Sequence, residues 1–355
     1  METLFESLLT NFSRRDFLKL AGTSLFSLFM LPITGSFSKL KFGDEIIQDL
    51  PHLGRIINNN ALVYDRPSFS GKILNVYICD LVFPITKITI GDDQPSYNRI
   101  WYEINGKGFV HSGNVQPVDI QLNPIGQSFP VTGRLAEVTV PYTDSFWSFE
   151  KADIVAYRLY YGTTYWITGL VKDSKGNPWY QFPDDKWGFN YYVNPAHLHI
   201  IKNEELAPIS PSVSPADKHI EVHLDKQVVI AYEMDRPVFM TRTATGAKFS
   251  DGNFTTPSGY YLTNRKRPSR HMAAGDPAAP TSYDLPGIPW VNYITKKGIS
   301  FHGTYWHNDF GKPRSHGCIN LSIPAAKWVY RWTMPVVPFD KDFWSEDIGT
   351  SIKVI

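Results

Sequence analysis

The sequence predicts a mainly β protein made of several units in series. Three observations carry this. Short runs rich in aromatic and β-branched residues recur along the chain, as in "ILNVYICDLVFPITKITI" and "IWYEI". Turn-forming clusters such as "RPSFSG", "GDDQPS" and "NGKG" separate them. The chain has 355 residues, 43% apolar and 19% charged, enough for two or three folded domains. A formal net charge of +1 argues against a strongly basic nucleic-acid binder.

Residues 1–40 read as an address. "SRRDFLK" at 13–19 precedes the apolar run "LAGTSLFSLFMLPI" at 20–33, which is the twin-arginine export pattern. The run is shorter than the roughly 20 apolar residues of a spanning helix. Membrane contact is therefore expected only through an uncleaved signal segment. The mature protein is expected to work outside the cytoplasm, in the cell wall or a periplasm-like space.

Two similar units follow, at 50–120 and 130–204. In the first, "IWYEINGKGFVH" is an alternating strand, a tight Gly-containing turn and a second strand, hence a hairpin. In the second, "PWYQFPDDKWGFNYYV" echoes it. Trp101 and Trp179 mark an internal duplication with a period of roughly 78 residues. Each unit resembles a bacterial SH3-like barrel. The resemblance rests on Gly54-Arg55 and Gly133-Arg134 near the start, a late Trp-Tyr strand, and a closing aromatic-Val strand. It implies binding of cell-wall peptides by exposed aromatic residues. The opposing reading places the same aromatics inside two small cores, which need large side chains. Residues 205–216, within "ELAPISPSVSPAD", are rich in Pro and Ser and predict an extended linker.

The last unit is placed at 217–345. "HIEVHL" and "QVVIAYE" alternate as strands, and "TPSGYYLTNRKRPSRHM" adds a turn and another strand. A strand ending at His302 leads through a polar loop to Cys318. A short helix follows, with Ser322 and Pro324 as start signals and Ala325, Trp328, Val329 and Trp332 at helical spacing.

Cys318, in "SHGCIN", admits four readings. A packing cysteine prefers apolar company, and Ser315, His316, Gly317 and Asn320 are not that. A disulfide would need Cys79, the other cysteine, which lies in a strand of the first unit. A zinc site would draw on His302, His307, His316 and Cys318, but only one cysteine is on offer where metal sites usually show paired ligands at short spacing. The fourth reading is a nucleophile. Only about 3% of an ordinary thiol is thiolate at neutral pH, so a nearby imidazole must take the proton. Gly317 removes bulk beside the thiol and lets backbone N–H groups approach an oxyanion, each worth roughly 3–4 kcal/mol.

The stretch from His302 to Asn320 resembles the L,D-transpeptidase (YkuD) domain, whose signature is a histidine, a loop, then Ser/Thr-His-Gly-Cys-apolar-Asn/Arg. His302, Ser315, His316, Gly317, Cys318, Ile319 and Asn320 fill it. "TPSG" at 256–259 and "HM" at 271–272 also match. The resemblance implies a YkuD-type β-sandwich after the two SH3-like barrels. It implies Cys318 as nucleophile and His302 as general base, its ring held by the Gly303 carbonyl. His316 would shape the site, with Ser315, Gly317 and Asn320 orienting groups or serving the oxyanion. Spacing alone leaves either histidine able to act as base.

The implied reaction is acyl transfer between peptidoglycan stem peptides, with no metal or organic cofactor and with carbapenems as inhibitors. Two alternatives stay open: an L,D-carboxypeptidase giving the same thioester to water, and a catalytically silent wall-binding protein.

Overall fold

The computed structural model describes residues 53–92, 94–126, 128–250, 252–275 and 282–355. The export signal at 1–40 lies outside them. As expected, the fold is mainly β. Among the described residues no helix is long and apolar enough to cross a membrane.

The first unit contains β1 (Leu53–Ile56), β2 (Ala61–Tyr64), β3 (Ile73–Tyr77), β4 (Val82–Ile90), β5 (Ile100–Ile104), β6 (Phe109–His111) and β7 (Val115–Val118). They form one sheet in the order β3-β2-β6-β5-β4-β1-β7. The β5–β6 hairpin forms where the sequence predicts it. Asn105 and Gly106 both take positive φ, 38° and 69°, as a tight hairpin turn requires.

The second unit contains β8 (Arg134–Val138), β9 (Tyr142–Phe146), β10 (Val155–Tyr160), β11 (Thr164–Ile167), β12 (Gly169–Lys172), β13 (Pro178–Pro183), β14 (Asn190–Val193) and β15 (Leu198–Ile200). Its ladders are β10-β9-β14-β13-β12 and β11-β8-β15. This is the pairing pattern of the first unit strand for strand, with β4 broken into β11 and β12. Both units also carry a 3-10 turn before the closing strand, at Ser112–Asn114 and Pro195–His197. Trp101 and Trp179 occupy equivalent strands, β5 and β13. Their burial differs: Trp101 is fully buried, Trp179 partly.

Residues 205–216 are not a free linker. Ile209 N–H donates to Arg331 O at 3.1 Å, and Leu206 and Ile209 pack on the core of the last unit. Two apolar side chains among the prolines and serines are enough to seat the segment.

That last unit contains β16 (Lys218–His223), β17 (Val228–Glu233), β18 (Arg236–Arg242), the two-stranded β19 (Lys248–Phe249) and β20 (Gly252–Asn253), β21 (Gly259–Ala274), β22 (Tyr283–Tyr293), β23 (Ser300–Gly303), β24 (Ile319–Leu321), helix α1 (Ile323–Trp332) and β25 (Trp344–Val354). Eight strands form one sheet, β18-β17-β16-β25-β21-β22-β23-β24. It curls until its ends meet: Ala244, just past β18, exchanges backbone hydrogen bonds with Asn320 of β24 at 3.0 and 3.1 Å. The unit extends beyond the expected boundary at 345, because β25 fills a central place between β16 and β21. Its buried Thr350, Ile352 and Val354 alternate with outward residues, the period of a strand with one face in a core.

The C-terminal carbonyls of α1 meet two buried lysines. Lys266 Nζ donates to Tyr330 O and Thr333 O at 2.8 and 2.6 Å, and Lys218 Nζ donates to Trp332 O at 3.3 Å. Each places a donor where the helix leaves acceptors unpaired. Burial pulls the Lys266 amine well below its ordinary pKa.

The three units are packed together. Leu135 and Ile201 of the second unit are buried in the same apolar cluster as Trp290, Phe301 and Val329. Arg55, 1% exposed, sits at the three-way junction. Its guanidinium donates to Asp80 at 2.7 Å and Gln116 at 2.8 Å within the first unit. It also lies 4.1 Å above the Tyr160 ring of the second and donates to Tyr305 O of the third at 3.0 Å. The equivalent Arg134 lies over Phe339, 5.2 Å from its ring centre. Arg55→Met is expected to lower stability by about 3 kcal/mol, because buried acceptors lose a charged donor. Chemical denaturation of the full chain measures it. Arg158→Met, at a side chain 39% exposed, should cost clearly less.

Candidate active site

The register of β23 against β24 builds the site. The two strands run parallel, with Phe301 opposite Ile319 and His302 opposite Asn320. Phe301 and Ile319 point into the core. By the two-residue alternation of strands, Ser300, His302, Cys318 and Asn320 share the other face. Ser300 Oγ lies 3.7 Å from Cys318 Sγ, which places the sulfur beside the row that carries His302.

The expected residues fall into three groups. His302 and Cys318 lie on this same face, with Ser300 Oγ as the side-chain neighbour of the sulfur. His302 is 3% exposed, and its Nδ1 donates to Gly303 O at 3.1 Å. A carbonyl only accepts, so Nδ1 carries the proton and Nε2 keeps a free lone pair. Burial pushes the imidazole down to about 4, against a smaller raising effect of the Gly303 carbonyl. Burial pushes the Cys318 thiol up, and hydrogen bonds with Ser300 oppose this. Both shifts favour the neutral forms, a thiol and an unprotonated imidazole. Both cysteines are free, so the Cys79 disulfide reading is excluded in this structure.

Ser315, Gly317 and Thr256 shape the turn that delivers the thiol. Ser315 Oγ donates to Cys318 O and accepts from Gly317 N–H at 3.2 Å. Thr256 Oγ1 donates to Gly317 O at 2.8 Å. Gly317 has φ +113°, which side chains rarely adopt, so glycine is needed for the backbone turn itself. Its N–H is already engaged by Ser315. Gly317 thus acts here through its backbone conformation.

His316 stands apart. It is exposed and stacks on Phe249 at 4.7 Å, with Phe254 at 4.7 Å and Tyr283 at 5.8 Å. It belongs to an aromatic wall made with the β19–β20 hairpin. Asn320 is buried and donates from Nδ2 to His307 Nε2 at 3.0 Å. His307 is thus 5% exposed and fastened to the signature asparagine. Sequence reasoning missed Ser300 and met His307 only as a candidate zinc ligand. Ser300 had a signal, its place two residues before His302 on one strand face.

Among the described residues no group of three or more His, Cys, Asp or Glu is arranged to hold a metal ion.

A family model for the L,D-transpeptidase (YkuD) catalytic domain matches residues 217–354. That match assigns this unit to the L,D-transpeptidase catalytic domain. The chain is also similar to solved structures. The avibactam carbamoyl enzyme of Ldtfm is 24% identical with a TM-score of 0.30, over 39% of this chain and 49% of that one. A mutant L,D-transpeptidase of Enterococcus faecium is 22% identical with a TM-score of 0.30, over 39% and 50%. An L,D-transpeptidase from Mycobacterium smegmatis is 20% identical with a TM-score of 0.33, over 48% and 75%. The chain spans about half the length of the first two. No curated protein matches it.

The protonation states give a pH prediction. Iodoacetamide reacts with the thiolate, so its rate at Cys318 should climb steadily from pH 6 past pH 9. An ion pair would instead give a plateau between pH 5 and 8. The imidazole should protonate near pH 4, below the ordinary 6.5, so reactions that use it as base are expected to hold down to about pH 5 and fail below. Alkylation rates against pH, read by mass spectrometry, check the first point; the acid limb of carbapenem acylation checks the second.

Proposed function

We propose that the chain is an exported cell-wall L,D-transpeptidase acting through a Cys318 thioester. The observation that supports this is the parallel register that puts Cys318 and His302 on one strand face, with His302 Nδ1 donating to Gly303 O and Nε2 left with its lone pair.

Cys318 Sγ adds to the carbonyl of the diamino residue preceding a terminal D-alanine, and its proton passes to His302 Nε2. The tetrahedral oxyanion collapses, the C–N bond breaks, and His302 returns the proton to the departing amine of D-alanine. A thioester remains. The side-chain amine of a second stem attacks it, gives a proton to His302, and expels the sulfur, which takes the proton back. The product is a crosslink between two diamino residues. The low imidazole pKa suits a group that must be unprotonated before each attack.

Two features support the wider reading. The shared strand pairing of the first two units fits two SH3-like modules that hold cell-wall peptide near the site, and "SRRDFLK" fits export by the twin-arginine route.

Mass spectrometry with a carbapenem should show one covalent adduct on the wild-type protein and none on Cys318→Ala; no adduct on either would refute the reading. His302→Asn is expected to slow acylation by about 10²–10⁴-fold. With muropeptide donors and an amine acceptor, crosslinked dimers are the expected product. Tripeptide accumulating without dimers would assign the chain to the L,D-carboxypeptidases instead.

A further inference from the structure

We propose that Asp309 is a positioning residue: it clamps the loop between His302 and Cys318 onto the first unit, and this clamp holds the thiol in its reactive place. The proposal rests on the thioester reading above.

The loop, residues 304–318, has no regular secondary structure and so cannot fix its own shape. Asp309 lies in its middle, 6% exposed. From the loop, Lys312 Nζ and Arg314 Nη1 meet its Oδ2 at 2.9 and 3.1 Å. From the first unit, Tyr97 Oη donates to Oδ2 at 3.3 Å and Asn98 Nδ2 approaches Oδ1 at 3.5 Å. Lys312 Nζ also donates to Tyr97 Oη at 2.7 Å, closing a triangle across the seam. The neighbouring Asn308 adds a backbone bond to Gly113 O at 3.4 Å and a side-chain bond to Ser112 O at 3.3 Å. The fit is close. A Cβ at Gly113 would lie 2.9 Å from Asp309 Oδ1, so glycine is what admits the carboxylate.

Arg314 links the clamp to the nucleophile. Its N–H and that of Ser315 both donate to Thr245 O, at 2.8 and 3.0 Å, and Ser315 Oγ then binds Gly317 N–H and Cys318 O. A displacement at Asp309 thus reaches the sulfur through a short run of hydrogen-bonded backbone. Burial alone would raise the Asp309 carboxyl, but Lys312 and Arg314 outweigh it and keep the group ionised. One side of the seam is an open groove of 420 Å³. Lys312 reaches it with its side chain 40% exposed, so a change there tests the clamp without disturbing a core.

The experiment uses the full chain, with Asp309→Asn, Asp309→Glu and Lys312→Met. Hydrogen exchange of the 304–317 amides should quicken about tenfold in Asp309→Asn and Lys312→Met, with the cores of the first two units unchanged. The limiting rate of Cys318 acylation by a carbapenem should fall about tenfold in the same variants, with the half-saturating concentration within about twofold of wild type and partial recovery in Asp309→Glu. Loop exchange equal to wild type overturns the proposal whatever acylation does. Faster exchange with an unchanged acylation rate also overturns it, because the loop would then be clamped without positioning the thiol. Faster exchange in a protein that no carbapenem acylates leaves the clamp standing and removes the reading of the site.

Discussion

Two parallel strands cannot be joined by a tight turn, and the candidate site is built on two such strands. β23 and β24 must lie side by side for His302 to reach the row occupied by Cys318. Most parallel pairs solve the crossover with a helix, which satisfies its own backbone. This chain crosses with an irregular loop, and its polar groups need outside partners. They find them on every side: Thr243 O and Thr245 O on the segment after β18, Gly113 O on the first unit, and the Arg55 guanidinium that caps Tyr305 O. The first unit therefore supplies part of the loop's hydrogen-bonding.

The same architecture sets the electrostatics. A thiol and an imidazole enclosed by packed loop and sheet lose the solvation that would stabilise an ion pair. Both pKa shifts favour the neutral forms. Ser300 is the polar group nearest the sulfur and is itself fully buried. Its hydroxyl can donate a hydrogen bond to the sulfur.

Much of this was legible in the residues. The Asn105-Gly106 hairpin, the helix from Ile323 and the strand ending near His302 follow from local rules of turn, cap and period. The duplication was visible in the two tryptophans, and the likeness to a known signature pointed to Cys318 and His302. What stayed hidden depends on partners distant in the chain. Ser300 meets Cys318 only once the parallel register is known. β25 lies at the end of the chain yet pairs in the middle of the sheet. His307 and Asp309 look like ordinary loop residues until the first unit and Asn320 close around them. The Pro/Ser segment looked like a tether because composition says nothing about what Leu206 and Ile209 will touch.

The shared cluster that takes in Leu135 and Ile201 bears on how small a working piece of this molecule can be. A fragment beginning at residue 217 would keep every group used in the proposed chemistry. It would also lay open the apolar seam that those two side chains cover and leave the crossover loop without its outer support. How short a stable fragment can be is then decided by what must be hidden from water, and the apolar seam reaches upstream of the Pro/Ser segment to Leu135 and Ile201.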